Sequence, residues 1–184
     1  MDRKFPARYK MAKLKMTFKA GQKTERGNYR PLSMLSIPSK LLEGVVCSAI
    51  DENRVSFPNV RQWGYKKGLS TELLLVYLTD KWKMEMDRGN FVSIILIDFR
   101  KAFDTVDHSI MPLKLQGAGI ANDVAEWIND YLTNRQQFSE INEAKSEPHG
   151  ITHGVPQGSL LGQRLFSIYV EDFPLCTSQG EIEL

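Results

Sequence analysis

The chain has 184 residues and a mass of 21.0 kDa, and its 42% hydrophobic and 25% charged residues describe a folded globular protein rather than a disordered one. No run of about 18 apolar residues exists to span a membrane, the first residues are too charged for a secretory signal, and Cys47 and Cys176 show neither CxxC nor Cys/His spacing, which excludes a disulfide framework and a zinc finger and favours a reducing compartment. The net charge of +2 conceals an asymmetry: residues 1–30 carry ten Lys and Arg against two acids, while the rest is net acidic, so the arm is read either as a polyanion contact or as a solvated basic tail.

Residues 13–19 alternate basic and apolar, as a half-exposed strand would. A polar loop follows to residue 28. Pro31 then keeps residues 29–32 extended. A helix begins between Ser36 and Ser39, with Leu41, Leu42, Val45, Val46, Ala49 and Ile50 giving one apolar face. After an irregular stretch at 56–69, Ser70 caps a helix running to about Arg88, with Leu74, Leu78 and Trp82 as its stripe. The sequence FVSIILID (91–98) is a continuous apolar run, expected as a strand buried on both faces. A short helix at 110–116 precedes another, capped by Asn122, that presents Val124, Trp127, Ile128, Tyr131 and Leu132. Residues 135–148 read as a hairpin, 149–158 as a strand and tight loop, and about 160–173 as a last helix. The tail ends on a strand-like segment at 181–184.

Two segments carry chemistry. Asp98 ends the apolar strand and sits at a sheet edge, where oxygen ligands for Mg²⁺ are often found. Strand-end aspartates also serve as phosphoryl acceptors or cap the following helix. Arg100 occupies the position where a dehalogenase-like phosphatase would want its second aspartate. Phe103 reads as a core aromatic, and Asp104 and Asp107 as helix caps. The second segment is GVPQGSLLG (154–162), whose glycines and proline fix a tight backbone next to an amide and a hydroxyl. It does not match the phosphate-binding G-x-x-x-x-G-K-[ST] loop. His149 and His153 are separated by residues that oppose a helix, so a metal pair is disfavoured. Cys47 is assigned to a helix core.

Taken in order, NYRPLS (28–33), QWGYKKGLST (62–71), IDFRKAFDTVDH (97–108), WINDYLTNR (127–135), GVPQGSLLG and LFSIYVEDFP (165–174) resemble the reverse transcriptases of non-long-terminal-repeat (LINE-type) retrotransposons. The resemblance spans roughly residues 13–184. It implies an α+β right-hand polymerase, with mixed helices and a partial antiparallel sheet: a basic arm at 1–12, fingers at 13–90, and an incomplete palm at 91–184. By the resemblance, Asp98 is the catalytic metal ligand for Mg²⁺, with the Phe99 backbone carbonyl beside it. Phe103 is the aromatic gate against a 2′-OH. Gln157 and Gly158 underlie the incoming deoxynucleoside triphosphate, and Lys19 and Arg30 hold its phosphates. Lys10, Lys13, Lys15, Lys66 and Lys67 are the implied contacts to RNA template and DNA primer, with no obligate protein partner evident. Such chemistry relies on positioning and charge.

Two departures from the family stand out. Gln163 replaces a usual proline, a small expected loss of stability. The Ala-Asp-Asp hairpin and the thumb do not occur in this sequence, so two-metal nucleotidyl transfer is expected to fail in the isolated chain, and Mg²⁺ to bind weakly. The strand at 91–98 would then present an unpaired apolar edge, an aggregation site. The alternative expectation is a non-catalytic nucleic-acid-binding module of retroelement origin, or a decayed, non-functional copy.

Overall fold

Alternation of basic and apolar side chains produces β1 (Met11–Phe18), which returns antiparallel as β2 (Tyr29–Met34), with Leu14 opposite Ser33 and Thr17 opposite Arg30. The computed structural model describes residues 4–53, 61–66 and 68–173. The chain forms two compact units, Met1–Ser56 with Lys101–Tyr169, and Phe57–Arg100 with Val170–Leu184.

In the first unit, β3 (Arg135–Ile141) lies parallel to β1, with Lys13 beside Phe138. This corrects the expectation of an antiparallel sheet: the sheet is mixed. Parallel neighbours need a long crossover, and here the chain between β1 and β3 includes α1 (Ile37–Asn53), α3 (Met111–Gly117) and α4 (Asn122–Leu132). On β3 the chain turns through Asn142 and Glu143, both at positive φ, into the short β4 (Ala144–Lys145). Two left-handed turn residues match the twist of the flanking strands. β5 (His149–Ile151) pairs antiparallel with the start of β3.

The core lies among α1, α3, α4 and α5 (Leu160–Tyr169). Ile50, Met111, Leu115, Ile128, Leu132, Leu161 and Leu165 are all essentially inaccessible, and each such side chain contributes about 1.5–3 kcal/mol when removed from water. On α1 the inward positions are Leu42, Val46 and Ile50, at helical spacing. Leu41 and Val45, expected on the same face, are exposed by 67% and 69%. A helix can turn only a limited stripe toward a core. α4 starts at Asn122 itself, with Ala121 at the cap and no side-chain cap bond, in place of the expected Asn122 cap. α5 ends at Tyr169, earlier than the periodicity implied.

Residues 4–12 of the basic arm are anchored. Phe5 packs edge-on against Trp127 and Tyr131, with ring centroids 5.4 and 5.0 Å apart, and its backbone N–H donates to Asp130.

In the second unit, Ser70 caps α2 (Thr71–Asp87) as its sequence implies, its hydroxyl accepting from Leu73 N at 3.3 Å. Leu74, Leu78 and Trp82 lie on its less exposed side, and Trp63 stacks at a tilt against Tyr77. Residues 91–99 correct a second expectation. They form no strand, and Phe91, Ile95 and Leu96 are almost fully exposed. A strand exists only where another backbone takes its N–H and C=O groups, and no described segment pairs with this one. The tail strand at 181–184 and Cys176 fall outside the described residues. Among the described residues, no helix is long and apolar enough to cross a membrane.

Candidate functional site

The loop at 154–159 is fixed from several directions. Gly154 has φ +84°, and a Cβ there would lie 2.9 Å from the Asp104 backbone and the Phe103 carbonyl, so only glycine fits without strain. Its N–H donates to Val106 O at 2.7 Å, and Val155 N to Phe103 O at 2.8 Å. His108 Nε2 lies 2.6 Å from the Gly154 carbonyl; because a carbonyl only accepts, the imidazole carries its proton on Nε2 in this contact. On the other side, Ser33 N on β2 donates to Gln157 O at 2.8 Å. The Gln157 amide donates through Nε2 to Asp104 Oδ1 at 2.7 Å. Gly158, at φ +106°, passes so close to Ser33 O that a Cβ would come within 3.2 Å. Three segments far apart in the sequence, 29–34, 103–108 and 154–159, therefore meet.

Between them lies a cavity of about 250 Å³, lined by Leu14, Pro31, Ser33, Asp104, Gln137, Ile151, His153 and residues 154–157. Its lining mixes the apolar Leu14, Pro31, Ile151 and Val155 with a hydroxyl, a carboxylate, amides and an imidazole. A lining of this kind can direct a few hydrogen bonds at a small polar ligand.

Of the residues singled out from the sequence, Gln157 lines this cavity and Gly158 follows it. Phe103 forms part of a 3₁₀ turn at Ala102–Asp104. Its carbonyl holds Val155, and its half-buried ring packs on Phe166 of α5, 4.9 Å between centroids. Arg30 pairs with Thr17. Strand alternation puts it on the face opposite its neighbour Pro31, which lines the cavity. Lys19 follows β1, its N–H bonded to Asn28 O. Lys13 and Lys15 are exposed on β1, Lys13 paired with Glu140 at 2.9 Å. Lys10 differs: it is 9% exposed, and its ammonium meets the Asp130 carbonyl at 2.6 Å and carboxylate at 3.0 Å. That charge is spent inside the fold, which removes Lys10 from the phosphate-facing set.

Asp98, Phe99 and Lys66 belong to the second unit, where Asp98 is exposed and the Phe99 ring packs edge-on to Phe173 at 5.4 Å. Lys67 lies outside the described residues. Among the described residues, no three of His, Cys, Asp and Glu gather closely enough to hold a metal ion. Mg²⁺ takes a near-octahedral set of oxygens, so the described side chains do not fit a two-metal centre.

Two side chains that shape this loop were not legible in the sequence. Asp104, read as a cap, instead orients Gln157. Glu43, on the inward side of α1, is fully buried; an acid set between the inward Leu42 and Val46 was the one available signal. Tyr131 contacts it, and burial raises the tyrosine hydroxyl's pKa well above its ordinary value, with Arg135 partly opposing the shift. Asp107 accepts from the Ser109 hydroxyl and N–H, which hold its carboxyl below the usual range.

A family model described as "Reverse transcriptase (RNA-dependent DNA polymerase)" matches residues 19–179. The chain is 32% identical over 174 residues to "Probable RNA-directed DNA polymerase from transposon BS" of Drosophila melanogaster, covering 92% of this chain and 19% of that protein. It is 26% identical over 183 residues to "RNA-directed DNA polymerase from mobile element jockey" of Drosophila melanogaster, covering 97% and 20%. It is 27% identical over 179 residues to "Retrovirus-related Pol polyprotein from type-1 retrotransposable element R1" of Bradysia coprophila, covering 93% and 17%. The chain thus spans a fifth or less of the length of these relatives.

Proposed function

The chain belongs to the reverse transcriptase (RNA-dependent DNA polymerase) family, and from that premise we propose that it is the nucleotide-binding portion of an RNA-directed DNA polymerase of a non-long-terminal-repeat retrotransposon. In this reading, residues 13–90 are fingers and 91–184 belong to the palm. The observation that carries it is the meeting of 29–34, 103–108 and 154–159 around one cavity. Gln157 and Gly158 support the incoming deoxynucleoside triphosphate. Phe103, its backbone fixed by the bond to Val155 and its ring packed on Phe166, is the residue that this reading makes the gate against a 2′-OH. Lys19 and Arg30, the cations that the resemblance assigns to the phosphates, do not line this cavity and act on the phosphates through their longer-range field. RNA template and DNA primer are the macromolecular partners, met by Lys13, Lys15, Lys66 and Lys67.

Asp98 is the carboxylate that the family assigns to Mg²⁺. In-line displacement uses two ions held by several carboxylates, and no such cluster forms among the described residues, so in this reading these residues by themselves bind nucleotide without incorporating it. The test is labelled-nucleotide incorporation on a primed RNA template with Mg²⁺ or Mn²⁺, beside direct binding of dTTP. Binding without incorporation is expected. Incorporation that Asp98→Ala abolishes overturns the inactivity, and absence of dTTP binding overturns the nucleotide site.

A second reading, a nucleic-acid-binding module without catalysis, is favoured by the exposed lysines of β1. It requires affinity for nucleic acid that falls steeply with salt; a flat response rejects it.

A further inference from the structure

The loop that carries Gln157 ends on Ser159 and Leu160, and both are held by a carboxylate from a helix more than a hundred residues earlier. Glu43 Oε2 accepts from Ser159 Oγ at 2.9 Å and from Leu160 N at 2.9 Å. Its Oε1 accepts from the Ser39 hydroxyl and the Tyr131 hydroxyl, each at 3.2 Å. Tyr131 and Ser159 hydroxyls are themselves 3.0 Å apart, and Ser159 Oγ accepts from Gly162 N at 2.8 Å. Glu43 is fully buried and makes no ion pair among the described residues.

Burying a carboxylate without a cation is unfavourable. Here the first N–H of α5 and three hydroxyl neighbours offset that cost. Replacing Glu43 alone by leucine would leave the Ser39, Tyr131 and Ser159 hydroxyls and the Leu160 N–H without this acceptor, a destabilising loss at a buried site. What a leucine lacks is the ability to fix Ser159 and the Leu160 N–H at one place. The next two residues back along the chain are Gly158, in close approach to Ser33 O, and Gln157, bonded to Ser33 through its backbone and to Asp104 through its side chain.

We propose that Glu43 is a positioning residue. It anchors the helix end of the loop and thereby holds Gln157 in register with Asp104 and Ser33 for the deoxynucleoside triphosphate. This rests on the nucleotide reading given above. Glu43 does not touch the ligand; it acts through Ser159 and Leu160.

The test compares wild type with Glu43→Leu, Glu43→Gln and Leu115→Ala, reading dTTP affinity, melting temperature, and amide exchange at Gln157, Gly158 and Leu160. Gln keeps an oxygen for Leu160 N, and its amide can donate to the hydroxyls of Ser39 and Tyr131, which are free to rotate. Glu43→Leu is expected to weaken dTTP binding about tenfold, and Glu43→Gln to restore it to within about threefold. Exchange at Leu160 is expected to accelerate at least tenfold in Glu43→Leu, relative to amides in α4. Leu115→Ala lowers the melting temperature through the core and is expected to leave affinity and loop exchange unchanged. Equal affinity and exchange in Glu43→Leu and wild type overturn the proposal, as does a Leu115→Ala effect of the same size. If Glu43→Leu does not fold, Ser159→Ala takes its place, and unchanged exchange at Leu160 then overturns it. If wild type binds no dTTP, the nucleotide reading fails, while amide exchange still decides whether Glu43 anchors the loop.

Discussion

Gln157 and Asp104, 53 residues apart, are joined by a hydrogen bond of 2.7 Å from the glutamine Nε2 to the aspartate Oδ1. The bond fixes which way the amide faces and leaves its oxygen to accept from a ligand. Asp104→Ala is expected to cost about 1–3 kcal/mol, the range for a partly buried bond to a charged group, and to weaken dTTP binding severalfold. Asp104→Asn keeps an acceptor and is expected to retain most of the affinity. Urea unfolding and equilibrium binding check both, and equal affinity in the alanine variant contradicts the assignment.

Gly154→Ala meets two obstacles together. Its φ of +84° lies in the left-handed region, and its Cβ would press to 2.9 Å on backbone atoms of Phe103 and Asp104, which cannot swing aside. The left-handed conformation alone costs alanine about 1–2 kcal/mol, and the contact adds to it. A shift in the urea midpoint corresponding to at least about 2 kcal/mol is expected; an unchanged midpoint contradicts the geometry.

The lysines of the amino-terminal segment divide by environment. Lys15→Gln removes an exposed charge from β1 and is expected to leave stability unchanged while reducing the salt slope of nucleic-acid binding by about one. Lys10→Met strands the Asp130 carboxylate and is expected to destabilise by roughly 3–5 kcal/mol at the buried limit, less as Asp130 is partly exposed. Its salt slope should match wild type. The reverse pattern contradicts the placement.

Cys47 sits half-buried on α1, and burial pushes its thiol up to about 11, with Arg164 partly opposing the shift. The folded state therefore holds this proton more tightly than the unfolded chain, whose thiol has the ordinary value of 9.0. The resulting contribution to stability is complete below pH 9 and is lost as pH rises through about 11. Urea midpoints of wild type are expected to fall more steeply than those of Cys47→Ser between pH 9 and 11. Parallel curves contradict it.

Local pattern made much of this fold legible. The Ser70 cap, the Leu74–Leu78–Trp82 stripe and the buried set Ile128, Tyr131 and Leu132 follow from spacing within a few turns of helix. The tight loop at 154–159 was legible from its glycines and proline. What could not be read were relationships between distant residues. Nothing in β1 says that its second neighbour is the parallel β3. The apolar run at 91–98 has strand composition, but pairing depends on a partner that composition does not report. Asp104 and Glu43 look like a cap and a stray helix charge until Gln157 and Ser159 arrive beside them.

Whether the three segments form one deoxynucleotide site is tested most directly by photocrosslinking with a radiolabelled azido-dUTP, followed by peptide mapping. Label confined to peptides containing residues 29–34, 103–108 or 154–159, and competed away by dTTP better than by UTP, is the result this account expects. Label spread over the surface, or unaffected by dTTP, would contradict it.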